Sequence, residues 1–186
     1  VPALKRKSII YTILVLVMIF VENAVSTDFI SRCNAEIDKF LEESKFKKKE
    51  NLKSYVQFGK LWAHVSQEIK EEVLAALRPH FPSERPRYTV RYQIHRIGTQ
   101  EFWHDHPYSF AVSLYLNDFP VQWGGRFKYK PKNGRWKELA VSPKAGMMGL
   151  INYNEVHSVT PILETAEYAR RAINIKGHRY ASIVKL

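Results

Sequence analysis

The pattern of hydrophobic and polar residues changes its period twice along the chain. Residues 9–21 are apolar on every face and follow the basic run Lys5-Arg6-Lys7. As a helix this run would span only about 20 Å, less than a bilayer core of ~30 Å. A basic flank, a short apolar run and the small residues Ala24-Val25-Ser26 are typical of a signal peptide or short signal anchor. We expect residues 1–26 to provide that signal or membrane contact, and the protein to reach the secretory pathway, specifically the endoplasmic reticulum.

Apolar residues then recur at helical spacing in two stretches. The first follows the capping sequence Ser26-Thr27-Asp28 and runs from Phe29 to Leu41. The second runs over residues 52–77 and stops before Pro79, which cannot continue a helix. We therefore predict that residues 27–83 form two amphipathic helices that brace one face of a sheet.

From residue 87 onward the period becomes two, the spacing of strands with one buried face. Asn133-Gly134 lies between two such stretches and predicts a tight hairpin. The predicted strands cover residues 88–94, 112–116, 126–130, 136–141, 149–152, 158–161, 169–176 and 180–185. Short strands after two helices predict a mainly β fold, a double-stranded β-helix (jelly roll) over residues 84–186 with bracing α-helices.

Composition narrows the choice of partners. The chain has 29 Lys+Arg against 18 Asp+Glu, a formal net charge of +11, which favours acidic partners in general. No nucleic-acid motif accompanies the basic residues, so we expect no nucleic-acid partner. Cys33 is the single cysteine, which excludes an internal disulfide framework, and nothing near it in sequence would lower its pKa.

Three stretches combine residues that carry chemistry. Trp103-His104-Asp105-His106 stands at the end of a predicted strand, His157 follows a glycine-containing turn and a strand, and Arg170-Arg171 enters an otherwise apolar strand. Histidines on separate strands can meet at the mouth of a barrel. Two imidazoles and one carboxylate on one face of a metal make a non-haem Fe(II) site, and an arginine offers a planar fork to a carboxylate.

In this order the stretches resemble the Fe(II)- and 2-oxoglutarate-dependent dioxygenases, in particular their prolyl 4-hydroxylase α-subunit-like branch. The matching pieces are residues 102–106, 113–118, 124–127, 143, 146, 157–161 and 170–173. The resemblance covers about half of the chain. It implies a jelly roll that uses Fe(II), 2-oxoglutarate and ascorbate to hydroxylate a protein or peptide side chain, with proline as one candidate.

Carried over residue by residue, the resemblance assigns His106 and His157 to the metal. It assigns Arg170 to 2-oxoglutarate, because Ala172 then takes the small inward position on the same strand face. Arg171 replaces Arg170 if the register slips by one residue. The assignment names no residue as a catalytic acid, base or nucleophile.

One position departs from the family's pattern. The metal carboxylate is expected two residues after His106, where this chain has Tyr108. Asp105 or His104 would then supply the missing ligand, the latter in a three-histidine site, unless the sequence itself is altered there. The alternative is a catalytically impaired pseudoenzyme or binding module of the same fold. Neither the substrate nor the oligomeric state follows from the sequence.

Overall fold

The computed structural model describes residues 18–46, 60–80, 87–105, 110–130, 139–152 and 155–178. In chain order its elements are β1 (Met18–Val21), α1 (Thr27–Phe46), β2 (Lys60–His64), α2 (Gln67–Leu77), β3 (Arg87–His95), β4 (Glu101–His104), β5 (Phe110–Tyr115), β6 (Phe127–Tyr129), β7 (Leu139–Val141), β8 (Met148–Asn152), β9 (His157–Val159) and β10 (Arg170–His178). Short 3-10 turns occupy Arg78–His80 and Val121–Trp123.

The described strands form two antiparallel sheets. The larger sheet has the order β1-β8-β5-β10-β3-β2, and the smaller has the order β4-β9-β6-β7. Most neighbours in each sheet are distant in sequence, as expected where strands cross between two stacked sheets. The sheets face each other through shared apolar clusters, one of which is made of Ala111, Ile151, Phe127 and Val159. The predicted jelly roll is confirmed.

Alternation along β10 explains how the larger sheet is covered on both faces. Ile173 and Ile175 pack with the two helices on the outer face, whereas Arg170 and Asn174 line the space toward the smaller sheet. The described helices supply the outer layer from residues spaced four apart: Phe29, Cys33 and Ile37 of α1, and Ile69, Val73 and Leu77 of α2. The prediction that helices brace one sheet is therefore confirmed in part, for α1 and α2.

The second predicted helix is wrong over part of its length. Residues 60–64 form the edge strand β2, in which Leu61 pairs with Ile94 of β3. α2 begins only after Ser66, whose hydroxyl accepts a hydrogen bond from the Ile69 amide at 3.3 Å. Leu61 fits a helical stripe, but Leu61 and Ala63 are also the two buried positions of an alternating pattern, and pairing with β3 decides between helix and strand. Residues 52–59 lie outside the described residues.

The end of the predicted signal segment takes part in the fold. Met18–Val21 form β1, an edge strand of the larger sheet whose Phe20 pairs with Gly149 of β8. Residues 1–17, the rest of that segment, lie outside the described residues. Within the described ranges, no helix is both long and apolar enough to cross a membrane.

The two strands that the predicted hairpin connects are neighbours in the smaller sheet. β6 and β7 pair antiparallel, with Phe127 opposite Val141. The turn that connects them, with Asn133-Gly134, lies outside the described residues, as does the predicted strand at residues 180–185.

Candidate functional site

A cavity of about 80 Å³, here called the inter-sheet cavity, lies between the two sheets. One wall comes from β2, β3, β5, β8 and β10 of the larger sheet, and the other comes from β4, β6 and β9 of the smaller sheet. Its walls combine apolar side chains with a few charged groups, the usual make-up of a small-molecule site.

Two histidines meet on the smaller sheet's wall. His104 ends β4 and His157 begins β9, and the two residues are direct partners in the antiparallel pair. Their ring centroids are 4.3 Å apart. His157 is 2% exposed and stacks on the Phe127 ring at 5.3 Å, while His104 stays partly exposed.

Both rings are oriented by backbone carbonyls. The Nδ1 of His157 lies 2.8 Å from the carbonyl oxygen of Glu155, and the Nδ1 of His104 lies 2.7 Å from that of Phe102. Because a carbonyl only accepts, each Nδ1 donates, and Nε2 carries the lone pair of the neutral ring. Burial lowers the pKa of His157 to about 4, so this ring is neutral at pH 7. A neutral imidazole fixed in this way, as in His157, is in the form that binds metals.

A buried carboxylate lies beside the histidines. Glu101 begins β4, and its Oε2 is 3.6 Å from the Nε2 of His104. Its other oxygen forms an ion pair with Lys60 of β2 and accepts a hydrogen bond from Gln93 at 3.3 Å. Burial raises the pKa of this carboxyl, but Lys60, Arg170 and His104 outweigh burial, and the pKa is lowered overall. Glu101 is therefore ionised at pH 7.

Arg170 lies at the larger sheet's side of the same cavity and is 4% exposed. It donates through Nη1 to the carbonyl of Gly125 at 2.8 Å and through Nη2 to the Nδ1 of His95 at 2.6 Å. Its guanidinium lies 5.8 Å from the centroid of the Tyr115 ring.

His95 is held neutral beneath this arginine. Burial, together with the charges of Arg170 and Lys60, lowers its pKa well below the ordinary value. Since Nδ1 accepts from Arg170, Nε2 carries the proton. That Nε2 is buried 3.4 Å from Glu101, without hydrogen-bond geometry to any described residue. Burial also raises the pKa of Tyr115, which stays protonated.

The structure brings together some of the predicted site residues. His157 and Arg170 line the same cavity, and His104 lines it with them. Arg171 faces the opposite way, and donates to Asn34 and Asp38 of α1. Asp105 is exposed. The predicted metal ligand His106 and the unusual Tyr108 both lie outside the described residues.

Sequence reasoning missed Glu101, His95 and Tyr115. Tyr115 sits on the cavity face of β5, but both faces of that strand are mostly buried, so its apolar pattern does not reveal which side chains line a site. Glu101 stands three residues before His104, a spacing that does not place two side chains on one face of a regular strand.

The fit to a metal is partial. Imidazoles are suitable donors for Fe(II), and a carboxylate lies next to one of the two histidines. As placed, however, the described residues contain no group of three or more His, Cys, Asp or Glu side chains that could hold a metal ion. The carboxylate of Glu101 is engaged by Lys60 instead.

No family model and no curated protein sequence matches the chain. Solved structures do. A prolyl-4-hydroxylase from Pseudomonas putida matches with a TM-score of 0.65 at 17% identity, covering 87% of this chain and 92% of that one. HygX from Streptomyces hygroscopicus, solved with nickel and 2-oxoglutarate bound, matches with a TM-score of 0.68 at 11% identity, covering 96% and 89%.

A third similar structure is a prolyl hydroxylase from Trichoplax adhaerens in complex with a peptide fragment of the hypoxia inducible factor oxygen degradation domain. It matches with a TM-score of 0.65 at 14% identity, covering 87% of this chain and 78% of that one. At such identities the likeness is one of fold. The chain has the jelly-roll fold of prolyl hydroxylases and other 2-oxoglutarate-dependent oxygenases.

Proposed function

We propose that this protein is an Fe(II)- and 2-oxoglutarate-dependent dioxygenase that hydroxylates a protein or peptide side chain in the secretory pathway. The observation that carries the proposal is one cavity that holds a buried arginine, Arg170, and two imidazoles in contact, those of His104 and His157. The fold shared with oxygenases supports the same reaction class.

Arg170 is the residue we assign to the far carboxylate of 2-oxoglutarate. Its hydrogen bonds to Gly125 and His95 use two of the five N–H groups of a guanidinium, so donors remain for a planar carboxylate. The bonds to Gly125 and His95 fix the plane of the guanidinium before any ligand arrives. The protonated hydroxyl of Tyr115 offers a further donor on the same wall.

His104 and His157 are the residues that would hold the metal, and His106 stays a candidate for a third position. Bound together, Fe(II) and 2-oxoglutarate would supply the oxidant for a C–H bond. The chain keeps both rings in the Nε2-presenting form through the carbonyls of Phe102 and Glu155. Apolar side chains of both sheets, among them Ala111, Phe127 and Ile151, line part of the cavity.

The finer parts of the proposal rest on the order of the sequence motifs. These motifs favour the prolyl 4-hydroxylase α-subunit-like branch. Within it, their order resembles that of the membrane-anchored 2-oxoglutarate and iron-dependent oxygenase domain-containing protein 3. Ascorbate dependence and residence in the endoplasmic reticulum follow from that resemblance. A prolyl hydroxylase of the same fold, solved in complex with a peptide fragment, supports a peptide substrate.

The test is an anaerobic titration of the purified full chain with Fe(II), with and without 2-oxoglutarate, followed by measurement of succinate after oxygen is admitted. We expect a visible charge-transfer band only when both are present, and its loss in His157→Ala. Succinate formation above the His157→Ala level supports the dioxygenase. Absence of both the band and succinate overturns it.

A second candidate is a silent binding module of the same fold. The observation in its favour is the ion pair between Glu101 and Lys60, which engages the carboxylate that lies beside His104. This candidate predicts that 2-oxoglutarate binds in an Arg170-dependent way while no succinate forms.

A further inference from the structure

The larger sheet carries positive charge and no negative charge on its own strands. None of its described strands contains Asp or Glu, whereas β2, β3 and β10 all contain lysine or arginine. Arg171 points toward the helices, where it pairs with Asp38. Alternation along the strands places the other cations on the cavity face: Lys60, Arg87, Arg91, Arg170 and Lys176.

Two of these cations already have partners inside the cavity, and a third has none among the described residues. Lys60 forms an ion pair with Glu101, and Arg170 donates to Gly125. Arg91 is exposed, and its guanidinium forms no hydrogen bond or ion pair with any described residue. An arginine on this face of the sheet is therefore available to a ligand from outside the chain.

Strand register fixes where Arg91 lies. It is directly opposite Asn174 of β10, and Gln93, two residues further along β3, is opposite Trp62 of β2. Tyr92 belongs to the core cluster under the helices, so Arg91 points to the other face of the sheet. Because Asn174, Gln93 and Trp62 all line the inter-sheet cavity, Arg91 stands beside residues of its wall.

Exposure falls along β3 from this point toward Arg170. Arg91 is exposed, Gln93 is 8% exposed and His95, opposite Arg170, is fully buried. The cavity face of the strand is thus open at Arg91 and enclosed at His95. At ~3.3 Å per residue, Arg91 lies about 13 Å along the strand from the position of Arg170.

The neighbours of Arg91 add donors and an aromatic surface. The side-chain amide of Asn174 forms no hydrogen bond with the described residues, although Asn174 is only 9% exposed. The ammonium of Lys176 lies 5.7 Å from the centroid of the Trp62 ring. A guanidinium, an ammonium and an amide donor suit a carboxylate, and an indole ring suits the apolar part of the same ligand. Arg91, Asn174, Lys176 and Trp62 are here called the cationic shelf.

We propose that the cationic shelf binds an acidic side chain of the polypeptide substrate. The inference rests on the proposed function, whose substrate class it narrows to acidic segments. An extended peptide covers about 13 Å in about four residues, so the acidic residue would lie about that far along the chain from the end of the cavity that holds Arg170. The net charge of +11 favours the approach of such a segment.

The test measures peptide binding to the full chain by fluorescence anisotropy, without metal or 2-oxoglutarate. The probe is a fluorescein-labelled peptide of alternating proline and glutamate, compared with the same peptide carrying glutamine for glutamate. We expect the acidic peptide to bind at least about tenfold more tightly. Exposed ion pairs contribute up to about 1 kcal/mol, so Arg91→Gln should weaken binding of the acidic peptide about fivefold. It should leave binding of the neutral peptide unchanged.

A matched control separates the shelf from net charge. Lys144→Gln removes the same charge at an exposed position that pairs with Glu22, and should bind both peptides as the parent does. Arg91→Lys keeps the charge and should recover most of the affinity that Arg91→Gln loses. Circular dichroism should show no change, since Arg91 has no partner among the described residues. Equal weakening for both peptides, or an equal effect of Lys144→Gln, would overturn the proposal.

Failure of this inference and failure of the proposed function look different. If the parent forms succinate but binds the two peptides equally, the shelf does not select acidic substrates, and the dioxygenase stands. If the preference for the acidic peptide depends on Arg91 while no succinate forms, the dioxygenase falls, and the shelf is the docking site of a binding module. A single-stranded oligothymidylate that binds more tightly than the acidic peptide, with the same dependence on Arg91, would assign the shelf to nucleic acid and overturn the proposal.

Discussion

The two adjacent arginines of β10 lie on opposite faces of the larger sheet, so replacing each in turn compares the cavity face with the helix-covered face. Arg170→Met removes the donors to the Gly125 carbonyl and to the Nδ1 of His95. Each buried acceptor left without a partner costs about 1–3 kcal/mol, so the two together cost about 2–6 kcal/mol. The variant also no longer has to bury the charge of the guanidinium, which offsets part of that cost. We therefore expect a decrease of about 2–4 kcal/mol in the free energy of unfolding.

Arg171→Met is the matched control on the other face. Arg171 pairs with Asp38, which is more than half exposed, and donates to Asn34. Such pairs contribute about 0–1 kcal/mol, so this variant should lose no more than that.

The same two variants should differ in their affinity for 2-oxoglutarate. A hydrogen bond to a charged group contributes about 1.5–3 kcal/mol, so loss of a bidentate contact in Arg170→Met should weaken binding at least ~100-fold. Arg171→Met should bind as the parent does. Urea unfolding and isothermal titration with 2-oxoglutarate measure the two quantities. Greater destabilisation by Arg171→Met, or full affinity in Arg170→Met, would refute the assignment of faces.

Three further predictions follow from burial. The free energy of unfolding should fall as the pH drops from about 6.5 to about 4, by about 3 kcal/mol for His157 alone. The reason is that the unfolded chain takes up protons at pH values where buried His157 and His95 stay neutral. Urea titrations at several pH values measure this free energy, and a profile that does not change with pH contradicts the prediction. Gly177→Ala should lower the free energy of unfolding by about 1–3 kcal/mol, because the added Cβ would overlap the Phe110 ring. Adding Phe110→Leu should recover part of this loss. Strictly additive effects of the two substitutions on the free energy of unfolding would refute the overlap. Burial of Cys33 raises the pKa of its thiol to about 12, so iodoacetamide should modify this residue only after the protein unfolds. Mass spectrometry measures the labelling. A labelled Cys33 in the native protein would disprove the prediction.

The fold could be predicted where one periodicity dominates. The alternation in residues 88–94 and 169–176 predicts strands, and β3 and β10 are central strands of the larger sheet. The prediction failed at Lys60–His64, where both periods fit and the choice is made by pairing with β3. An edge strand of five residues carries too few apolar positions to exclude a helix, so the partner strand supplies the missing information.

A short histidine motif does not show which of its side chains face a site, because this depends on the strand that pairs with the motif. In Trp103-His104-Asp105-His106 a regular strand would place both histidines on one face, so alternation alone does not distinguish them, and His106, which the resemblance assigns to the metal, lies outside the described residues. The structure pairs His104 directly with His157 across β4 and β9. A β-bulge just before His104 then adds Glu101 to the same wall, which no motif based on alternate residues would include. An acidic residue missing from its expected place is therefore weak evidence for an inactive site until the strand opposite, and any bulge in the pair, has been taken into account.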